Sequence, residues 1–480
     1  MSLYENLKKY GDSEMYPYHM PGHKRHPEEY LPESFARIDI TEIDGFDNLH
    51  NAEGIIKEAQ DFAAEVIGAD HTYFLVGGST AGVLSAISAA VKKGGRIIMA
   101  RNSHRSAYNA VGLMGIESEY IFPDINKAFG FCEAVTPEKV KEALDKYPEA
   151  EAVFIVSPTY EGKIANVQSI AEAVHSRGIP LIVDEAHGAH LSFFERTDGY
   201  GISAVRAGAD IVIQSVHKTL PAPTQTALIH LNGDLVDRRK LERYLKIYQS
   251  SSPSYPLMAG IDGCVRFMAA GGRERLLKFA ESFKELVSYI NENCTYIRAL
   301  RFEPGTTDVG KLIISARAAN VYGSELAETL RKRFLLETEM SSEWYVLVMF
   351  TVSDGFDGYD RLKKALTLLD REYALKCADG KKGETAVSCR DAEDPSDSFD
   401  EVKKVYTISE SWEVPAEEIN IESAASRISA EFVNVYPPGT PILVPGEEIG
   451  DKHIALIERY LKEGLNVIGV KDGRISVIKR

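Results

Sequence analysis

Apolar residues fall along this chain in short runs, each closed by a polar or glycine-rich turn, and stretches of helical spacing separate the runs. Period-two alternation and β-branched residues predict strands over residues 72–76, 96–100, 152–156, 181–183 and 209–214. Helical periodicity predicts helices over 54–67, 81–91 and 169–176. Such alternation, from about residue 50 to 235, calls for a mostly parallel sheet with helices on both faces. Residues 236–295 read as helices, the longest near 272–291, and residues 296–375 alternate again as in a smaller α/β domain. The chain divides into an arm at 1–45, a large domain at 46–295, a small α/β domain at 296–376, a polar linker or surface loop at 377–400, and a further small domain at 401–480. The arm carries Tyr16-Pro17-Tyr18-His19-Met20-Pro21-Gly22-His23-Lys24-Arg25, which has turn residues and no periodicity.

In a parallel sheet, ligands bind outside the carboxyl ends of the strands, and polar residues collect at those ends here. The first strand runs into Gly77-Gly78-Ser79-Thr80 and then a helix; small residues and free N–H groups there suit a phosphate. The second runs into Asn102-Ser103-His104, whose histidine can stack on a planar ring. The third runs into Ser157-Pro158-Thr159-Tyr160-Glu161-Gly162, the fourth into Asp184-Glu185-Ala186-His187, and the fifth into Ser215-Val216-His217-Lys218-Thr219. Taken singly, each has a plainer reading as a helix cap, a loop histidine or a solvated strand end. Together they place a phosphate loop, a ring stacker, an acid and a lysine in order. Lys218 and Asp184, at the ends of two parallel strands, are the two groups that pyridoxal phosphate (PLP) chemistry asks of a protein: an amine for the Schiff base and a carboxylate for the pyridine nitrogen. In extended chain Ser215 and His217 face one side and address one phosphate.

Two rival readings fail. Asp184-Glu185-Ala186-His187 spells a helicase acidic box, but no Gly-Lys pair is followed by Ser or Thr: the pairs are Gly162-Lys163-Ile164, Gly310-Lys311-Leu312 and Gly380-Lys381-Lys382. A metal site from Asp184, His187 and His190 has no fourth ligand at suitable spacing and leaves Lys218 unexplained.

Composition narrows the setting. A net charge of −16 disfavours nucleic acid and anionic membranes as partners and leans weakly toward a cationic substrate. No apolar run is long enough to cross a bilayer, and the first residues lack a signal-peptide pattern. Five cysteines without metal-type spacing suit reduced thiols in a cytoplasmic protein.

With these motifs assembled, the chain resembles the Orn/Lys/Arg decarboxylase family of the aspartate-aminotransferase-type PLP fold, over nearly its whole length. The resemblance rests on Pro21-Gly22-His23-Lys24, Gly78-Ser79-Thr80, Asn102-Ser103-His104, Asp184-Glu185-Ala186-His187, Ser215-Val216-His217-Lys218-Thr219, Tyr436-Pro437-Pro438-Gly439 and Pro445-Gly446-Glu447. It is to the family's shorter branch, without an N-terminal receiver-like wing domain. It implies a seven-stranded-type large domain with smaller α/β C-terminal domains. It also implies α-decarboxylation of arginine, lysine or ornithine in support of polyamine synthesis. Lys218 would carry the cofactor, Asp184 pair with its ring nitrogen, and His104 stack on the ring. Gly78, Ser79, Thr80, Ser215 and His217 would hold the phosphate. His187 stands where some members have a tryptophan near the ring. His23, Lys24 and Glu447 would lie near the substrate, with Glu447 meeting its cationic end. A homodimer or higher homo-oligomer with shared active sites is implied as well. An aminotransferase using Arg317, Arg331 or Arg333 for the α-carboxylate, another PLP lyase, and a catalytically silent PLP-binding partner stay open at this point.

Overall fold

The computed structural model describes residues 1–25, 32–380, 402–436 and 439–479. Residues 381–400 of the expected linker, and Pro437 and Pro438 of the late turn, lie outside the described residues.

The large domain is built on a seven-stranded sheet: β1 (His71–Leu75), β2 (Arg96–Ala100), β3 (Glu117–Ile121), β4 (Ala152–Val156), β5 (Leu181–Asp184), β6 (Ile211–Ser215) and β7 (Ala227–Leu231). Their order across the sheet is β1-β7-β6-β5-β4-β2-β3. Pairing is parallel from β3 through β2, β4 and β5 to β6, while β7 runs antiparallel between β6 and β1. Alternation along each strand divides the side chains between two apolar layers. Val153, Ile155, Val183 and Val212 enter one core, and Ala152, Phe154, Ile182, Ile211 and Ile213 enter the other. Two strands escaped the periodicity reading. β3 is an edge strand with alternate charged positions, and β7 carries a buried histidine, His230, bonded to Thr72 and Gln214.

The arm is less irregular than expected. Leu3–Gly11 is a helix closed by a capping box of Ser2 and Glu5. It buries Leu3 and Leu7 beside helix Tyr255–Ala269, where Asp262 accepts the Leu3 backbone N–H at 2.8 Å. A short helix, Glu33–Ile38, follows.

The small domain carries an antiparallel four-stranded sheet of β8 (Arg298–Ala299), β9 (Lys311–Ser315), β10 (Met340–Ser341) and β11 (Val346–Met349), in the order β10-β11-β9-β8. Two three-stranded sheets make up the C-terminal part. That part docks on the large domain through helix Ile408–Glu413, whose Trp412 lies over Gly112; a β-carbon there would fall 2.3 Å from the indole. Close approach therefore demands glycine at 112.

The turn after β4 ties the large and small domains together. Gly162 accepts the Asp308 N–H at 2.8 Å, and Lys163 pairs with Thr307. Gly162 holds φ +91°, and an added β-carbon would sit 2.5 Å from Lys311 Cβ. Gly94 shares the left-handed backbone, at φ +70°, with open space around it. Both alanine variants carry the backbone strain, and only Gly162→Ala also overpacks a domain junction. Thermal unfolding should show Gly162→Ala the less stable by about 1–3 kcal/mol; equal melting temperatures would refute the junction argument.

Candidate active site

β5 and β6 lie side by side in parallel, with Asp184 opposite Ile213. β5 ends at Asp184, and after Ser215 the chain turns at once into a single helical turn, Val216–Thr219. Val216 is buried, and its N–H reaches back to the Thr226 carbonyl. This turn presents Lys218 beside Asp184. It also corrects the expectation that Ser215 and His217 sit at alternate positions of an extended chain, because helical backbone points them apart. His217 donates Nδ1–H to the Thr226 carbonyl at 2.8 Å. Only its Nε2 is left for a phosphate, and as a donor only when the ring is protonated, a form that burial disfavours.

Lys218 Nζ lies 3.0 Å from Nε2 of His187. Burial lowers the Lys218 pKa, with Asp184 opposing it. On its other side the same imidazole meets a second amine: Lys311 Nζ is 2.7 Å from His187 Nδ1. Burial first, and then the two amines, hold His187 well below the usual histidine range, so the ring is neutral. Tyr160 packs edge-on against it, 4.7 Å between ring centres. His104 caps helix Arg105–Met114; its Nδ1 accepts the Ser106 N–H at 3.2 Å, which leaves the ring proton on Nε2. Burial lowers its pKa, while Asp184 and Lys218 act on it with opposite signs. Gly439, in the late turn, approaches the His104 ring.

A candidate anion site lies at the start of helix Gly78–Ala90, which has no side-chain cap, so its first N–H groups stay available. Gly78 holds φ +69°. Ser79 Oγ and Ser215 Oγ meet at 2.6 Å, and Thr80 is exposed at the same terminus. The chemistry of this donor set suits a phosphate group.

Other expected residues are placed elsewhere. Glu447 does not face the site. It is 1% exposed, accepts from Arg101 at 3.1 Å and from the Val444 N–H at 2.8 Å, and ties the C-terminal part to the end of β2. This corrects its assignment to the substrate's cationic end. His23 pairs with Asp39 at 3.3 Å, and Lys24 donates to the His19 carbonyl at 2.5 Å, so both find partners within the arm. His190 pairs with the buried Asp308 at 2.8 Å, which removes it from any metal set with Asp184 and His187.

Sequence reasoning missed Lys311 and Glu339 as members of the site, and it placed Tyr160 and Glu161 at the binding edge of the sheet without a role. Tyr160 donates to Glu339 at 2.6 Å, and Tyr345 donates to the buried Glu161 at 3.1 Å. Lys311 carried the same signal as Lys218, an amine beside a buried apolar run, Leu312-Ile313-Ile314.

A lysine and an aspartate at the ends of adjacent parallel strands, with an anion site at a neighbouring helix start, define the aspartate-aminotransferase-type fold class. Solved structures agree. The alanine–glyoxylate aminotransferase of Nostoc sp. superposes with TM-score 0.53 at 16% identity, over 65% of this chain and 86% of its own. The lysine decarboxylase LdcF of Francisella novicida superposes with TM-score 0.82 at 18% identity, over 100% of this chain and 81% of its own. Residues 1–310 match the Orn/Lys/Arg decarboxylase major domain, and residues 401–467 match that family's C-terminal domain. The arginine decarboxylase of Bacillus subtilis (strain 168) is 35% identical, over 99% of this chain and 97% of its own. That of Bacillus anthracis is 30% identical, over 99% and 96%. The chain belongs to the Orn/Lys/Arg decarboxylase family and is a decarboxylase of basic amino acids.

The buried pair gives a pH-dependent prediction. Arg101→Met leaves Glu447 without its guanidinium, a loss of about 3–5 kcal/mol. Burial already raises the Glu447 pKa, against the pull of Arg101. In the variant it rises further above the unfolded value, so stability falls as pH increases through that window. The gap in melting temperature between parent and variant should be wider at pH 8 than at pH 5; a gap that is constant with pH would contradict the burial of Glu447.

Proposed function

We propose that this protein is a PLP-dependent decarboxylase of L-arginine, releasing CO2 and agmatine. The observation that carries this reading is the placement of Asp184 and Lys218 on adjacent parallel strand ends, with the Lys218 amine against a neutral imidazole. The choice of arginine follows the arginine decarboxylases at 30–35% identity; the lysine and ornithine decarboxylases of Pseudomonas aeruginosa and Escherichia coli match at 22% and 21%.

The residues present fit the cofactor. The N-terminus of helix Gly78–Ala90 would hold the phosphate with Ser79 and Ser215. Asp184 would keep the ring nitrogen protonated, His104 would cover the ring, and Lys218 would hold the group covalently. Bound PLP supplies a sink for the electron pair left on Cα when CO2 departs. The chain's own part is to orient the substrate, leave its carboxylate weakly stabilised, and return a proton to Cα. Of the arginines considered for an aminotransferase, Arg333 pairs with Glu372, Arg317 lies over Trp344, and Arg331 is exposed in the last turn of helix Gly323–Phe334. Glu339, held by Tyr160 and within electrostatic reach of Lys218, is suited to the guanidinium in place of Glu447.

Assembly and setting complete the reading. Met15, Tyr16, Tyr18 and Met20 stand exposed on the arm and are offered to a second copy, which would bring His23 and Lys24 toward a shared site. No helix among the described residues is long and apolar enough to cross a membrane. The cytoplasm would keep Cys132, Cys264, Cys294 and Cys377 as free thiols.

Amine analysis after incubation with L-arginine, L-lysine and L-ornithine should give agmatine in excess, and none from Lys218→Ala. No amine from any of the three would overturn the reading. Glu339→Gln should raise KM for arginine about 10- to 100-fold, the worth of one charge-assisted hydrogen bond, with kcat much less changed. An unchanged KM would remove Glu339 from the substrate site.

A further inference from the structure

Outside the residues that hold a cofactor, the site contains a second amine with no role in the reading above. Lys311 opens β9, is 1% exposed, and brings its charge into the interior. Its Nζ is 2.7 Å from His187 Nδ1, while Lys218 Nζ is 3.0 Å from Nε2 of the same ring. A neutral imidazole has one N–H and one lone pair in the ring plane. Two ammonium groups cannot both donate to it, so one amine donates and the other accepts from the ring N–H. The surroundings decide which. Asp308 lies fully buried beside Lys311, with Oδ2 free of any hydrogen-bond partner, and supplies a negative charge for the ammonium; Tyr160 presents its ring 5.2 Å from Nζ. Lys311 is then the donor to Nδ1, and His187 gives its Nε2–H to the lone pair of Lys218.

We propose that Lys311 is a positioning residue of the decarboxylase: acting through His187, it keeps the Lys218 amine in its free-base form and replaces the proton that Lys218 delivers. The transfer balances. His187 passes its Nε2 proton to Lys218 and takes one from Lys311 at Nδ1, so a single positive charge moves from Lys311 to Lys218. Lys218 then protonates the carbon from which CO2 has left; the relay resets when His187 takes a proton from solvent at Nε2, by way of Lys218, and returns its Nδ1 proton to Lys311. Burial brings Lys311 down to about 8, so it is charged at neutral pH yet able to give up a proton. The charged and titratable groups facing this relay are Asp308, Glu161 and Glu339 around Lys311, His104 and His217 around His187, and Asp184 and Glu339 around Lys218.

The delivery step rests on the proposed decarboxylation, whereas the protonation claim does not, and the test separates them. Full-length protein is treated with hydroxylamine to clear any aldehyde. It then receives trace reductive methylation across pH 6 to 11, and Lys218 labelling is read by peptide mass. Lys311→Met should raise the labelling midpoint of Lys218 by about one pH unit, because the freed Nδ1–H tautomer lets Nε2 accept from a Lys218 ammonium. Lys311→Arg, a permanent donor, should hold the midpoint near the parent value and lower kcat at least tenfold, since a guanidinium does not release its proton. Should Lys311→Met fail to melt cooperatively, Lys311→Leu takes its place with the same expected rise, because it too removes the donor to Nδ1 and leaves the imidazole intact. An unchanged midpoint in a folded variant overturns the proposal. A shifted midpoint without amine from any basic amino acid would uphold the coupling and refute the decarboxylase reading alone.

Discussion

The parallel pairing of β5 with β6 is the constraint on which the site depends. It sets Asp184 against Ile213 and, three residues beyond, starts the turn that carries Lys218. Both strands are buried on both faces, so a slip of one residue would exchange the side chains of two cores and is excluded by packing. An acid and an amine thus stay in register without a direct ion pair. Local chemistry is added around that frame: a neutral imidazole on the amine, an uncapped helix start and two hydroxyls near β6 and β1.

Charge inside this fold is handled by pairing over long distances in the chain. Glu447 is separated from Arg101 by 346 residues, His187 from Lys311 by 124, and His190 from Asp308 by 118. Each pair joins the large domain to a later part of the molecule. The C-terminal part is fastened by Arg101, which also donates to the Pro441 and Ile442 carbonyls, and so the Gly439 turn is held at His104. The small domain is fastened through Asp308 and Lys311, next to the glycine turn at 162. Domain packing and site electrostatics therefore share the same residues.

What could be read from the chain follows from this division. Strands β1, β2, β4, β5 and β6 were legible because alternation and burial on both faces leave apolar runs. Lys218, Asp184, His104 and Ser79 were legible because they close those runs. β3 was not, since an edge strand tolerates Glu117 and Glu119, and β7 was not, since its His230 is satisfied only by residues far away in sequence. The reversal of Ser215 and His217 came from a single helical turn too short to show periodicity. Glu447 was misplaced because a carboxylate in a Pro-Gly-Glu turn carries no sign of its distant arginine. Lys311 passed as half of a Gly-Lys pair because its partner ring is on another domain. Sequence pattern reports local period and burial, and the missed members are those defined by tertiary pairing.

The proposed chemistry depends on Lys218 holding the cofactor. The most direct measurement is to add PLP to the full-length protein, reduce with borohydride, and locate the phosphopyridoxyl group by peptide mass. The account predicts stoichiometric label on the peptide containing Lys218. Label on Lys311 instead, or spread among surface lysines, would contradict it.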